Sequence, residues 1–227
     1  MKNQINNQEF TIVNVWDWQT RVLHWTNALL VISLALLALG FEMFEELGMS
    51  WDYLGDYLKE IHAYIGYVFI FTLTLRILWG FIGNEYARWL DIIPYKKERW
   101  TAIWGNIKWY LSGFKIKPPI SIGHNPLASL FYAALFLVII SQTLTGIVLS
   151  GLEFGLAPLG SFFSQYDHDA KEIIEDMSEE VHEFGLWFII FFFAAHMTGL
   201  LVHTIFEKTE LFSSMLNGKK YFQKGDL

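Results

Sequence analysis

Residues 182–206 read HEFGLWFIIFFFAAHMTGLLVHTIF. From 184 to 206 the only ionisable side chains are His196 and His203. A helix of about 20 apolar residues crosses the hydrocarbon core of a bilayer. In that core only helices and closed barrels satisfy every backbone group. The run is too long and too continuous for a barrel strand, which would alternate. Three further runs have the same character: residues 22–41, 61–83 and 127–150. The sequence therefore predicts an all-α fold, a four-helix transmembrane bundle, with residues 1–227 forming a single membrane-embedded domain.

Composition agrees. Of 227 residues, 53% are hydrophobic and 17% charged, against about a quarter charged in soluble domains. There is no cysteine. That excludes thiolate zinc and iron–sulfur sites and covalent haem attachment through C-x-x-C-H. A redox cofactor would have to be held by other ligands, histidine first among them. The first nineteen residues are polar and mixed and do not read as a signal peptide, so insertion is expected to use the first apolar helix.

Basic residues set the expected orientation. The amino-terminal tail, the loop 84–126 and the carboxyl tail carry thirteen Lys and Arg, whereas the loops 42–60 and 151–183 carry only Lys59 and Lys171. This places both termini in the cytoplasm. The opposite loops are acidic, with Glu42, Glu45, Glu46, Asp52, Asp56 and Glu60 in the first and Asp167, Asp169, Glu172, Glu175, Asp176, Glu179 and Glu180 in the second. Within loop 84–126, Trp100, Trp104, Ile107, Trp109, Tyr110 and Leu111 fall near helical spacing among basic residues. They predict a short helix, either interfacial with its aromatic side in lipid or packed on the bundle.

Ionisable residues within spans are costly and point to function. His182 and His196 are 14 residues apart, close to four turns, so they share a face about 21 Å apart along the axis. Under the expected topology His62 lies at the depth of His182, and His24 at the depth of His196. Two histidines at matched depth on different helices are what a bis-histidine haem needs, and bundle cofactor sites are built this way. Ala28, Gly66, Gly185 and Gly199 stand one turn from the four histidines and would let a flat ring approach the backbone. The pairs are too far apart for a zinc shell.

His203 lies seven residues beyond His196 on the same face. It reads as a quinone-site or an interfacial histidine. Arg76, 14 residues after His62, and Arg21, one turn before His24, suit a haem propionate, a quinone carbonyl or simple snorkelling. His124, in Gly123-His124-Asn125-Pro126, belongs to a helix start and is expected to be structural. His168, among acids, is expected to be solvated.

The run Arg21-Val22-Leu23-His24-Trp25 resembles the first signature of the b-type cytochrome subunit of membrane-bound nickel–iron hydrogenases. His182, Trp187, Phe192 and His196 match the spacing of the second. Arg76, Trp79, Phe81, Gly83-Asn84, Tyr86-Ala87-Arg88, Pro94, Trp109-Tyr110-Leu111, Gly123-His124-Asn125-Pro126 and Ser214-Met215-Leu216-Asn217-Gly218-Lys219 resemble the rest of that family. The chain is thus similar to bacterial four-helix di-haem cytochromes b of the cytochrome b561 type. Glu179 and Glu183 stand where the hydrogenase subunit has basic or histidine residues. Related cytochromes b without a hydrogenase share Val181-His182-Glu183 and exchange electrons with a c-type cytochrome.

The resemblance implies two non-covalent b haems, with the same ligand pairs, in the bacterial inner membrane. The expected function is electron transfer between a periplasmic hydrogenase-like partner and a membrane quinone. Exchange with a periplasmic c-type cytochrome is the alternative, which acidic outer loops would steer electrostatically. A superoxide:quinone oxidoreductase is a second rival, and the same acidic loops would repel its anionic substrate. A non-redox anchor is the third. Membrane lipid is the expected surrounding, and no nucleic-acid partner is expected.

Overall fold

The computed structural model describes residues 10–46, 52–116, 120–206 and 211–223. Lys2, Lys117, Lys208 and Lys224 of the basic count lie outside them, as do the side chains of Glu45, Glu46 and Asp52.

Four long helices dominate: α1 (Trp18–Glu46), α2 (Asp52–Ile82), α5 (Pro126–Glu153) and α7 (His168–Phe206). Each is long and apolar enough to cross a membrane. The helix starts are written in short polar side chains. Asp17 Oδ1 accepts the Thr20 amide at 2.8 Å, Asn125 Oδ1 those of Leu127 and Ala128 at 2.9 and 3.2 Å, and Asp167 Oδ1 that of Ala170 at 2.9 Å. These side chains satisfy amides that have no partner in a first turn, and Pro126 follows Asn125 where its missing N–H costs nothing.

All four helices outrun their apolar runs, and α7 does so most. Residues 168–183, read from hydropathy as loop, are its first four turns. Hydropathy measures the length that can sit in hydrocarbon, not the length that is helical. Nothing between Asp167 and Gly185 breaks a helix, since the segment contains neither glycine nor proline. At 39 residues and 1.5 Å per residue, α7 is about 58 Å long, roughly twice the hydrocarbon thickness.

The remaining elements are short: α3 (Trp89–Ile92), α4 (Lys97–Leu111), α6 (Gly160–Phe163), α8 (Leu211–Asn217), and strands β1 (Phe10–Asn14) and β2 (Lys219–Gln223). The helix expected in loop 84–126 is α4, with one face buried and one exposed. Trp100, Trp104 and Leu111 are exposed, whereas Ile103, Asn106 and Trp109 are buried. The antiparallel pair β1–β2, with Ile12 opposite Tyr221, was not foreseen. Two five-residue strands more than 200 positions apart leave no local hairpin signal.

The contacts divide the chain into two compact units. The first holds Met1–Val22, Ile77–Ala133 and Ala194–Leu227. Its core is built from Val15, Ala87, Ile92, Ile103 and Trp109. Here the two tails are clasped together. Val15 and Trp16 amides both donate to the Gly218 carbonyl, and Trp16 Nε1 donates to Ser214 Oγ at 3.3 Å. Gly218 has φ +84, and a Cβ there would lie 2.5 Å from the Trp16 carbonyl oxygen, so the turn into β2 accepts only glycine.

The second unit holds Leu23–Arg76 and Ala134–Phe193, almost entirely long helix. Phe69, Leu73, Ala38, Ile139 and Leu186 are buried within it. Large apolar side chains such as Leu36, Phe71 and Leu137 face outward, as lipid-facing residues do. Within it, Thr72 Oγ1 donates to Asn27 Oδ1 at 2.8 Å, one of the interhelical polar contacts that join membrane helices.

Candidate functional site

His62, on α2, and His182, on α7, meet in the second unit. Their ring centroids are 6.1 Å apart and their planes are 68° from parallel. Phe41 lies edge-on to the His62 ring at 5.9 Å. The Thr145 hydroxyl of α5 is 2.8 Å from His182 Nδ1. The His182 ring packs against α5 beside the next residue, Gly146, where a Cβ would make an ordinary contact, 3.5 Å from His182 Cε1. The backbone of Leu34 is beside His62, yet His62 Nδ1 is buried without a hydrogen-bond partner of good geometry among the described residues.

The separation of the two rings is the fit test for a cofactor. With metal–imidazole bonds of about 2 Å, two axial rings stand roughly 6 Å apart between centres, which matches the separation observed. Space is present too. A Cβ on Gly66, one turn beyond His62, would meet nothing within 4 Å. Gly185 is small for a different reason: its Cβ would strike the Gln142 side chain, whose amide reaches the Val181 carbonyl at 3.3 Å. Among the described residues no three His, Asp or Glu side chains gather as a metal shell would require, so the donor set suits a two-ligand planar cofactor.

The other expected site residues are placed as follows. His24 lies in the second unit, edge-on to Trp25 at 5.3 Å. Arg76, also there, lies over the Phe136 ring at 5.5 Å. His196 lies in the first unit, 6.1 Å from the Tyr132 ring. Open space surrounds the Cα of Gly199, one turn from His196. In the same unit, Arg21 donates to the Leu216 carbonyl, which ties it to the tail clasp. His203 is buried, stacked on Trp109 at 5.4 Å, with Nε2 3.2 Å from the Tyr110 hydroxyl. His168 is exposed, 3.7 Å from Glu172.

Sequence reasoning missed one cluster in the first unit. His124 sits 2.7 Å from Asp91 Oδ2 through Nδ1, and its backbone amide donates to the same oxygen at 2.9 Å. Arg99 donates to the Asp91 carbonyl and to Ser129 Oγ, and its Nη1 is 3.7 Å from Asp91 Oδ1. Burial by itself pushes the Asp91 carboxyl up. The hydrogen bonds and charge of His124, with Arg99 beyond them, outweigh burial and hold the carboxyl below the usual carboxylate range. His124 thus joins Asp91 to the start of α5, the place where a structural role is expected of it. Its partner Asp91 is announced only by an acid in an otherwise apolar turn, Trp89-Leu90-Asp91-Ile92.

The chain as a whole is similar to known proteins. The family model described as prokaryotic cytochrome b561 matches residues 15–218. The chain is 30% identical over 223 residues to the "Probable Ni/Fe-hydrogenase 1 B-type cytochrome subunit" of Escherichia coli (strain K12), covering 94% of this chain and 92% of that protein. It is 30% identical over 224 residues to the "Probable Ni/Fe-hydrogenase B-type cytochrome subunit" of Azotobacter vinelandii, covering 94% and 90%. The counterpart in Rhodobacter capsulatus is 26% identical over 229 residues, covering 94% and 83%. With its four membrane-length helices and a match over nearly its whole length, the chain belongs to the prokaryotic cytochrome b561 family.

Proposed function

We propose that this chain carries electrons across the bacterial cytoplasmic membrane, between a periplasmic hydrogenase-like partner and a membrane quinone. Two b haems serve this path, one held by His62 and His182, the other by His24 and His196. The 6.1 Å separation of the His62 and His182 rings carries the reading of the first pair. The second pair rests on sequence register alone. Haem, when bound, supplies a one-electron centre whose potential the ligands and their surroundings set. The protein orients the imidazoles, excludes water from them and leaves room beside Gly66 for a flat ring.

The names of the relatives favour a hydrogenase as partner. Glu179 and Glu183 favour the second reading, exchange with a c-type cytochrome, because a cationic partner would be steered to an acidic surface. The basic-residue asymmetry supports cytoplasmic termini. Two haems per chain are expected in a pyridine-haem assay of protein purified from haem-replete cells. Acidified acetone should extract all of it, since there is no cysteine to tether it. One haem or none per chain sinks the two-layer reading.

Quinone reduction consumes protons as well as electrons. The hydrogen-bonded pair His203 and Tyr110, in the unit that also holds His196, is the proposed donor. His203→Ala should keep both haems and still be reduced by the outer partner. Its quinone turnover should fall on the order of 10²-fold, the scale of a lost acid–base group. Normal turnover beside an intact haem spectrum removes His203 from the quinone site and leaves it a packing residue against Trp109.

A further inference from the structure

The two imidazoles of the His62–His182 pair are not equivalent. His182 Nδ1 is 2.8 Å from Thr145 Oγ1. His62 Nδ1 has no such partner among the described residues. The Thr145 hydroxyl also reaches the carbonyl oxygens of Ser141 at 3.0 Å and Gln142 at 3.3 Å. Carbonyls only accept. With the single hydroxyl proton directed to them, the oxygen lone pair is left for an N–H at His182 Nδ1. This arrangement favours one tautomer, in which Nδ1 carries the proton and Nε2 presents its lone pair.

The seat is rigid. Thr145 lies mid-helix in α5, where a β-branched side chain has few rotamers, and the His182 ring lies against the helix there, 3.5 Å from where a Cβ on Gly146 would stand.

We infer that Thr145 is a positioning residue, which holds His182 in the Nδ1–H tautomer and thereby lowers the reduction potential of the haem that His182 ligates. The inference rests on the haem reading of the His62–His182 pair. Its physical content is donation. A ligating histidine that gives its second N–H to an acceptor is oriented and made more basic. A more basic axial ligand favours ferric over ferrous iron, and so a lower potential.

The test uses the full-length protein, with three substitutions and a redox titration of the haem bands. Thr145→Val keeps the side-chain volume and removes the acceptor. Thr145→Ser keeps the hydroxyl and removes the methyl. His182→Ala marks which spectral component belongs to this site. Thr145→Val is expected to raise the midpoint potential of that component alone. Each tenfold change in the ratio of ferric to ferrous affinity is read as about 59 mV for one electron. Haem affinity at the site should fall about 10- to 100-fold, as for other lost partners of metal-bound histidine. Thr145→Ser should match the parent in both.

Loss of the component in Thr145→Val with a normal Thr145→Ser also supports the inference, as the extreme case of weakened affinity. Two outcomes overturn it: a Thr145→Val protein with the parent's potentials and haem affinity, or a Thr145→Ser protein as impaired as Thr145→Val, which would mean that Thr145 acts by packing. If His182→Ala retains the parent's full haem spectrum, the ligand assignment itself is wrong, which is a different failure.

Discussion

Replacing His182 with alanine is expected to cut the haem content of the purified chain by about half and to leave the other haem spectrally intact. The expectation follows from the proposed separation of the histidines into two pairs. A haem that loses one of its two axial nitrogens in a helix bundle loses both its orientation and much of its binding energy. Thr145 and Gly146, which lie beside His182 on α5, supply no imidazole to replace the lost ligand. His62→Ala should lose the same component. His196→Ala and His24→Ala should lose the other. Reduced-minus-oxidised spectra of the four variants, scaled to protein, decide the matter. Identical spectral losses in His182→Ala and His196→Ala would show that pairing by depth is wrong.

The second large effect is expected at Asp91, far in sequence from any of these ligands. Asp91→Ala leaves Arg99 and His124 partly buried without the carboxylate that both address. Removing one partner of a buried pair typically costs 3–5 kcal/mol. Asp91 keeps some solvent contact, so a loss of roughly 3 kcal/mol, the low end, is expected. The readout is the midpoint of haem-band loss on heating in detergent. The pH dependence has a definite sign. The folded-state carboxyl is held below its ordinary value of 3.8. Its contribution is therefore complete above that value and disappears as pH falls through the lower, folded value. Asp91→Asn should lose this acid dependence while keeping much of the shape. If Asp91→Ala melts like the parent at neutral pH, the cluster is not a structural joint.

Much of this was legible in the sequence because the bilayer constrains so strongly. Uninterrupted apolar runs announced all four spans, and the 14-residue spacing of His182 and His196 put two imidazoles on one helix face. What hydropathy could not show was where the helices end, because residues 168–183 are polar yet helical. Asp167 and the absence of any breaker were the available signals. The small residues were read too uniformly. Gly66 and Gly199 border open space, but Gly185 makes room for Gln142. Thr145 and Asp91 were missed because each acts through a partner more than thirty positions away, and no local spacing encodes such a meeting. His203 was read from its helical face alone, which does not reveal the Trp109 ring stacked on it.

The β1–β2 ladder joins a strand before α1 to one after α8, with Thr11 opposite Phe222. Such a ladder closes only if an even number of crossings returns the chain to the side it left. It also sets an order of events during synthesis. The first strand is made some 200 residues before its partner, roughly 10–40 s at ordinary elongation rates. Throughout that interval β1 lacks its ladder partner. The ladder thus closes only after every helix between its two strands has been made.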